Sequence, residues 1–129
     1  MPLHAQNYAK LLGKKMDEHG TRVYLINTGW TGGPYGIGKR MNLSYTRAMV
    51  TAALAGEIDK VPVKHHAVFN IDMPVSCPGV PDEVLDPRNT WHDKDRYDAA
   101  AKRLAALFAK NFEKFGTVSK EIANAGPKP

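Results

Sequence analysis

The sequence has a single cysteine, Cys77, among its 129 residues, and it has no long hydrophobic run. One cysteine cannot form an internal disulfide, and this usage is typical of a reducing, cytoplasmic setting. A helix that spans a bilayer needs about 20 consecutive apolar residues, and no stretch approaches that length. Residues 1–7 lack the basic start and apolar core of a secretory signal. The sequence therefore predicts a cytoplasmic protein that does not enter a membrane.

Groups of metal-ligating or catalytic side chains are also missing from the sequence. His65 and His66 are adjacent, so in a strand they point to opposite faces and cannot chelate one ion together. No cysteine or carboxylate falls at a zinc-like spacing from any histidine, and no two acids are paired for general acid–base catalysis. Cys77 stands among prolines with no base or cation nearby in sequence, which indicates a structural cysteine. The residues alone predict neither a metal site nor a catalytic group.

The charge balance is basic, with 18 Lys and Arg against 13 Asp and Glu and a net charge of +5. Such a balance fits either an anionic partner or a solvated basic surface. The cations occur as separate pairs mixed with acids, whereas nucleic-acid-binding proteins usually concentrate them along one element beside stacking aromatic residues. We therefore expect no nucleic-acid partner.

The hydrophobic pattern predicts an α/β chain. A β-branched and aromatic run favours a buried strand over residues 23–26, and a further strand fits between the prolines over residues 63–72. The proline-rich connection over residues 61–87 is expected to lie pinned against a neighbouring body. Apolar residues at helical spacing, with glycine stops, favour four helices. These helices cover residues 5–19, 45–55 (capped by Asn42 or Ser44), 93–115 and 118–125.

The second of these helices, over residues 45–55, is apolar nearly all round. A helix of this kind is typical of the interior of a larger body, since a surface helix shows one polar face. We therefore expect this helix to be buried.

A glycine-rich segment follows the predicted strand and carries five of the eleven glycines. Residues 33–39 match the first seven positions of a P-loop, but Arg40 occupies the eighth, where Ser or Thr would ligate magnesium. No helix is predicted to begin directly after Lys39, so a P-loop is disfavoured. Two interpretations remain open: an anion or nucleotide contact made by Lys39 and Arg40, or a tight turn with two solvated cations.

Four long motifs then follow one another in order along the chain. They are residues 21–40 (TRVYLINTGWTGGPYGIGKR), 45–49 (YTRAM), 77–81 (CPGVP) and 85–91 (LDPRNTW). With them the chain closely resembles the C-terminal part of ATP-dependent phosphoenolpyruvate carboxykinases, over essentially its whole length. The resemblance implies that residues 1–129 are one partial domain. They would form the C-terminal part of a mixed-sheet nucleotide-binding domain, with a long C-terminal helix packed outside.

The resemblance also implies a reaction and a set of nucleotide contacts. The family converts oxaloacetate and ATP to phosphoenolpyruvate, ADP and carbon dioxide in gluconeogenesis, with magnesium or manganese. Positions that contact the nucleotide in the family match Arg40, Met41 and Thr46 here. Arg40 would hold or stack on the nucleotide, Met41 would offer adenine an apolar surface, and Thr46 would add a hydroxyl. Met41 departs from the β-branched residue of some members, a mild change for an apolar contact.

No catalytic or metal-binding residue is carried over to this chain. The family's P-loop, its metal-binding Lys, His and Asp, and its oxaloacetate-binding arginines match no position here and are expected upstream. Phosphoryl transfer needs the phosphate cradle, the metal and the positioning cations together. Oxaloacetate and phosphoenolpyruvate would therefore bind only with the upstream part, and the 129 residues alone are expected to be inactive.

An alternative is a stand-alone basic module that binds nucleotides or anions without catalysis. Binding to many phosphates weakens steeply with salt, whereas a single adenine pocket should show a shallow dependence. The apolar helix argues against this alternative, since a free-standing module would expose part of it.

Overall fold

A computed structural model of the chain describes residues 3–129. The prediction that residues 1–7 carry no secretory signal therefore falls partly outside the described residues. The fold mixes helices with two small antiparallel sheets, which is consistent with the predicted α/β class. The helices are α1 (Ala5–His19), α2 (Leu43–Leu54), α3 (Asp82–Leu85), α4 (Pro87–Thr90), α5 (Lys94–Phe112) and α6 (Lys120–Ala125), and the strands are β1 (Trp30–Thr31), β2 (Lys39–Arg40), β3 (Val63–His66) and β4 (Ile71–Pro74).

The first two helices lie close to their predicted positions. α1 has the predicted bounds and is capped by Gly20. Gly20 has a left-handed φ of +59°, and its backbone amide donates a hydrogen bond to the carbonyl oxygen of Met16. α2 begins two residues before the predicted start. Asn42 is its N-cap, and the side-chain oxygen of Asn42 accepts from the amide of Ser44 at 3.0 Å.

The predicted C-terminal helix is α5 together with a 3₁₀ turn, Glu113–Phe115. Asp93 is the N-cap and accepts from the amide of Arg96 at 3.0 Å. The chain leaves the helix at Gly116, where φ is +69°. The buried residues of α5 recur every fourth position, which places them on one face: Tyr97, Ala101 and Ala105.

Two sequence predictions about burial and pairing are wrong. Residues 23–26 form no strand; Val23 is 65% exposed and Leu25 is 83% exposed. A strand needs a partner to satisfy its backbone groups, and no described residue provides one here. α2 is also not buried, because Ala52 is its only buried residue while Leu43 and Leu54 lie open. Both segments expose apolar side chains that nothing in residues 3–129 covers.

The proline-rich connection forms a hairpin and then packs against α2. β3 pairs with β4 from Val63 opposite Pro74 to His66 opposite Ile71, so the single strand predicted over residues 63–72 is two strands. Beyond the hairpin, the connection contributes to a small apolar cluster that consists of Ala52, Cys77 and Val80, flanked by Tyr45, Ala48, Met49, Ile58, Val84 and Leu85. This cluster fixes the connection to α2.

The sequence predicts that the chain does not enter a membrane, and the length and polarity of each helix bear on this prediction. Across residues 3–129, no helix combines the length and the apolar character that crossing a bilayer requires.

Candidate functional site

The glycine-rich segment forms a short hairpin between β1 and β2. Thr31 pairs with Lys39, and Trp30 pairs with Arg40. This register carries Lys39 and Arg40 out of the glycine turn on an ordered backbone, with both residues exposed. Neither side chain forms an ion pair with any residue that the structure describes. The end of the hairpin therefore presents two positive charges to solvent.

The turn of the hairpin is closed by its own backbone. The amides of Ile37 and Gly38 donate to the carbonyl oxygen of Pro34 at 3.0 and 2.9 Å. A Cβ on Gly38 would lie 2.6 Å from the carbonyl oxygen of Thr31, so a larger residue does not fit. Gly36 has φ +86°, a conformation that favours glycine. A P-loop instead keeps its amides free for phosphate, and these two amides are already bonded within the turn.

The three residues predicted to contact a nucleotide lie at the junction between β2 and α2. Arg40 ends β2, and the half-buried Met41 donates its amide to the carbonyl oxygen of Gly29 at 2.7 Å. Thr46 is half-buried in the first turn of α2. The structure thus places the three positions on one short connection. None of the hydrogen bonds described for residues 3–129 joins their side chains to one another.

A groove of about 360 Å³ lies between the glycine turn and α5. Its lining is largely apolar and includes Trp30, Trp91, Leu104 and Leu107, with Arg103 as its charged side chain. The lining contains none of the three predicted contact residues. Sequence reasoning missed the groove because it joins segments about 60 residues apart, and local patterns carry no information on that contact.

Thr90 holds the glycine-rich hairpin from this side. Its hydroxyl oxygen accepts from the amide of Gly32 at 3.2 Å and lies 3.1 Å from the hydroxyl of Thr31. The same hydroxyl donates to the carbonyl oxygen of Pro87 at 2.9 Å. Thr90 belongs to the motif of residues 85–91, but no sequence pattern predicts its contact with the hairpin, because that contact arises only when α4 reaches the hairpin.

His65 and His66 are bonded to other side chains of the fold, and Cys77 is buried. His65 Nδ1 lies 2.9 Å from Asp72, and His66 Nε2 lies 2.7 Å from the hydroxyl of Tyr97. Burial, with a smaller effect of Glu57, raises the pKa of the Cys77 thiol, so the reactive thiolate is disfavoured. No group of three or more His, Cys, Asp or Glu within residues 3–129 is arranged to hold a metal ion. The described side chains therefore do not fit a divalent metal.

The family model described as phosphoenolpyruvate carboxykinase matches residues 1–83. The chain belongs to the phosphoenolpyruvate carboxykinase family. This confirms the family to which the four motifs point.

Similar carboxykinases extend the match to nearly the whole chain. Over 128 residues the chain is 60% identical to the phosphoenolpyruvate carboxykinase (ATP) of Caldanaerobacter subterraneus subsp. tengcongensis and 59% identical to that of Brevibacillus brevis. Over 129 residues it is 56% identical to the carboxykinase of Fusobacterium nucleatum subsp. nucleatum. These alignments cover 99% of this chain and 24–25% of each relative. The chain spans about a quarter of the length of the curated relatives it matches.

Proposed function

We propose that this chain forms the adenine side of the ATP pocket in a phosphoenolpyruvate carboxykinase. The whole protein would convert oxaloacetate and ATP to phosphoenolpyruvate, ADP and carbon dioxide, in the cytoplasm and as part of gluconeogenesis. The observation that carries the proposal is the 60% identity, over 99% of the chain, to a protein named phosphoenolpyruvate carboxykinase (ATP).

The proposed contacts are Arg40, Met41 and Thr46. The guanidinium of Arg40 is exposed beside Lys39 without an acidic partner among the described residues, so its charge is open to a phosphate or its plane to adenine. The flexible thioether of Met41 suits an aromatic ring, and the hydroxyl of Thr46 can bond a polar edge. Their placement on one connection supports a single ligand for all three.

The chemistry itself is assigned to the remainder of a family-length protein. Magnesium or manganese would be bound there, because the described side chains of this chain do not fit a metal. Oxaloacetate and phosphoenolpyruvate would likewise need that remainder. We propose that this chain is the C-terminal part of the mixed-sheet nucleotide-binding domain, in which the remainder of the protein would cover residues 23–26 and α5 would pack outside. The exposure of Leu25 supports this placement.

The large exposed area of the chain supports the proposal that the rest of a longer protein covers its apolar faces. A compact monomer of 14.2 kDa is expected to expose roughly 6,800 Å², whereas this chain exposes 9575 Å². The excess includes the apolar side chains of α2 and of residues 23–26. A stand-alone anion-binding module would leave this apolar surface in water, which disfavours that alternative.

The test is a full-length chimera in which these 129 residues replace the matching segment of the Caldanaerobacter relative. We expect the chimera to form phosphoenolpyruvate, and Arg40→Ala to raise its KM for ATP about tenfold, the effect of losing one charge-assisted contact. The KM for oxaloacetate should not change. Lys110→Ala is the control, because Lys110 is an exposed cation in the last turn of α5. An unchanged KM for ATP in Arg40→Ala would overturn the assignment.

Salt dependence separates the two functions in the same chimera. One adenine pocket should give a shallow dependence of nucleotide affinity on salt and a preference for ATP over short oligonucleotides. A steep dependence with tight oligonucleotide binding would favour the anion-binding module.

A further inference from the structure

The contact between Thr90 and the glycine-rich hairpin joins two parts of the chain that no motif connects. One hydroxyl serves three groups: it accepts from the amide of Gly32, faces the hydroxyl of Thr31, and donates to the carbonyl oxygen of Pro87. The approach is close, because a Cβ on Gly32 would lie 3.0 Å from the carbonyl oxygen of Thr90. The hairpin is therefore held by side chain and backbone together.

The segment that carries Thr90 is itself fixed by charged side chains. Arg88 forms a bidentate ion pair with Asp98 on α5, in which both N–O distances are 2.9 Å. Lys94 donates to three backbone carbonyls of the same turn, those of Arg88, Asn89 and Trp91, at 2.7–2.9 Å. We refer to residues 86–98 as the clamp segment. These bonds anchor Thr90 to the start of α5.

Asp86 secures the other end of the clamp segment. It caps α4 by accepting from the amide of Arg88 at 3.0 Å, and it accepts from Lys64 of β3 at 2.6 Å. Burial raises the pKa of Asp86, but the bonds from Lys64 and the Arg88 amide outweigh it, and the pKa lies below the ordinary value. Asp86 thus stays ionised at neutral pH and keeps both bonds.

The ladder of the hairpin connects Thr90 to the two exposed cations. Thr31, which Thr90 contacts, pairs directly with Lys39, and the preceding Trp30 pairs with Arg40. A displacement of Thr31 therefore displaces Lys39 and Arg40, since the strands are only two residues long and have no other partner in the described chain.

We propose that Thr90 is a positioning residue for nucleotide binding, through which the clamp segment fixes the hairpin that carries Lys39 and Arg40. Thr90 is not proposed to contact the nucleotide. The part of this inference that concerns ATP rests on the proposed function, whereas the part that concerns the hairpin does not.

The test compares Thr90→Val with Thr90→Ser in the chimera. Valine keeps the shape of threonine and removes the hydroxyl, while serine keeps the hydroxyl and removes a methyl group. We expect Thr90→Val to raise the KM for ATP about fivefold, because it removes the two hydrogen bonds that join Thr90 to the hairpin, with the KM for oxaloacetate unchanged. Thr90→Ser should keep the wild-type KM for ATP. Ser119→Ala, which removes the N-cap of α6 far along the chain, controls for general destabilisation.

Hydrogen exchange of the peptide that spans residues 29–41 gives a readout that does not depend on ATP. Exchange should be several-fold faster in Thr90→Val than in Thr90→Ser or Ser119→Ala. Equal exchange in all variants would overturn the proposal that Thr90 holds the hairpin. Faster exchange in Thr90→Val with an unchanged KM for ATP would overturn the role of Thr90 in nucleotide binding. If Arg40→Ala leaves the KM for ATP unchanged, the proposed function fails, and the exchange experiment still decides whether Thr90 holds the hairpin.

Discussion

At the scale of single residues, the charged side chains differ in what engages them. Asp86, Arg88 and Lys94 are bonded within the clamp segment or to β3 and α5. Lys39 and Arg40 are exposed and form no ion pair with any residue from 3 to 129. Charges of the first kind stabilise the polypeptide, whereas charges of the second kind are available to a ligand. Lys10 and Lys110 are exposed and unpaired in the same way, so it is the match of Arg40, Met41 and Thr46 to the family's nucleotide contacts that makes the β2–α2 junction the candidate site.

Tyr97 gives a pH-dependent prediction. Burial, with the negative charges of Asp86 and Asp98, raises the pKa of Tyr97 to about 12. Because this pKa lies above the ordinary tyrosine value of about 10, the protonated phenol stabilises the fold fully below pH 10, and the contribution is lost as the pH rises from there toward the folded-state pKa. In the chimera, thermal unfolding temperature should fall less steeply between pH 10 and 12 in Tyr97→Phe than in the parent. Identical slopes would contradict this assignment.

At the scale of elements, the glycine-rich hairpin depends on a steric requirement at Gly38. Its added Cβ would lie 2.6 Å from the carbonyl oxygen of Thr31, so Gly38→Ala should distort the hairpin and raise the KM for ATP at least about tenfold. Gly13 in α1 is the matched control. No atom lies within 4 Å of an added Cβ there, so Gly13→Ala should stabilise α1 by about 0.5–1 kcal/mol and leave the KM unchanged. Kinetics and thermal unfolding of the two variants in the chimera check both expectations, and a tolerated Gly38→Ala would contradict the hairpin geometry.

Most helices could be predicted from the sequence because their signals are local. Apolar spacing, Asn42 as a cap and the glycine stops at Gly20 and Gly116 place α1, α2 and α5 within a few residues. The strand predicted over residues 23–26 is wrong because local sequence does not show whether a partner strand is present, and the partner of a strand can lie anywhere in a protein. The same limit applies to the site. The cations at the end of the hairpin are visible in the sequence, but the contact of Thr90 with Thr31 and Gly32 arises only through the fold.

At the scale of the whole molecule, the chain has much apolar surface and a small core. Seven hydrophobic residues are buried among those described, while Leu25, Leu54 and Phe108 are more than half exposed. The exposed area is about 1.4 times that expected of a compact monomer. The exposed apolar side chains of α2 support the proposal that the rest of a carboxykinase covers this helix.

This surface predicts a difference between the isolated chain and the chimera. The isolated 129 residues should bind an apolar dye such as ANS with several-fold higher fluorescence per mole than the chimera, and they should self-associate at micromolar concentration. Size-exclusion chromatography and dye titration measure both. A monomeric isolated chain with no dye binding would contradict the view that these faces are normally covered.

Photolabelling of the chimera with 8-azido-ATP shows whether residues 40–46 contact adenine. Trypsin cuts after Arg40 and Arg47, which releases the peptide of residues 41–47 with Met41 and Thr46 inside it. We expect this peptide to carry the label, and we expect excess ATP to suppress the labelling. If ATP suppresses the labelling but the label lies only in other peptides, the proposed contact of Met41 and Thr46 with adenine is wrong.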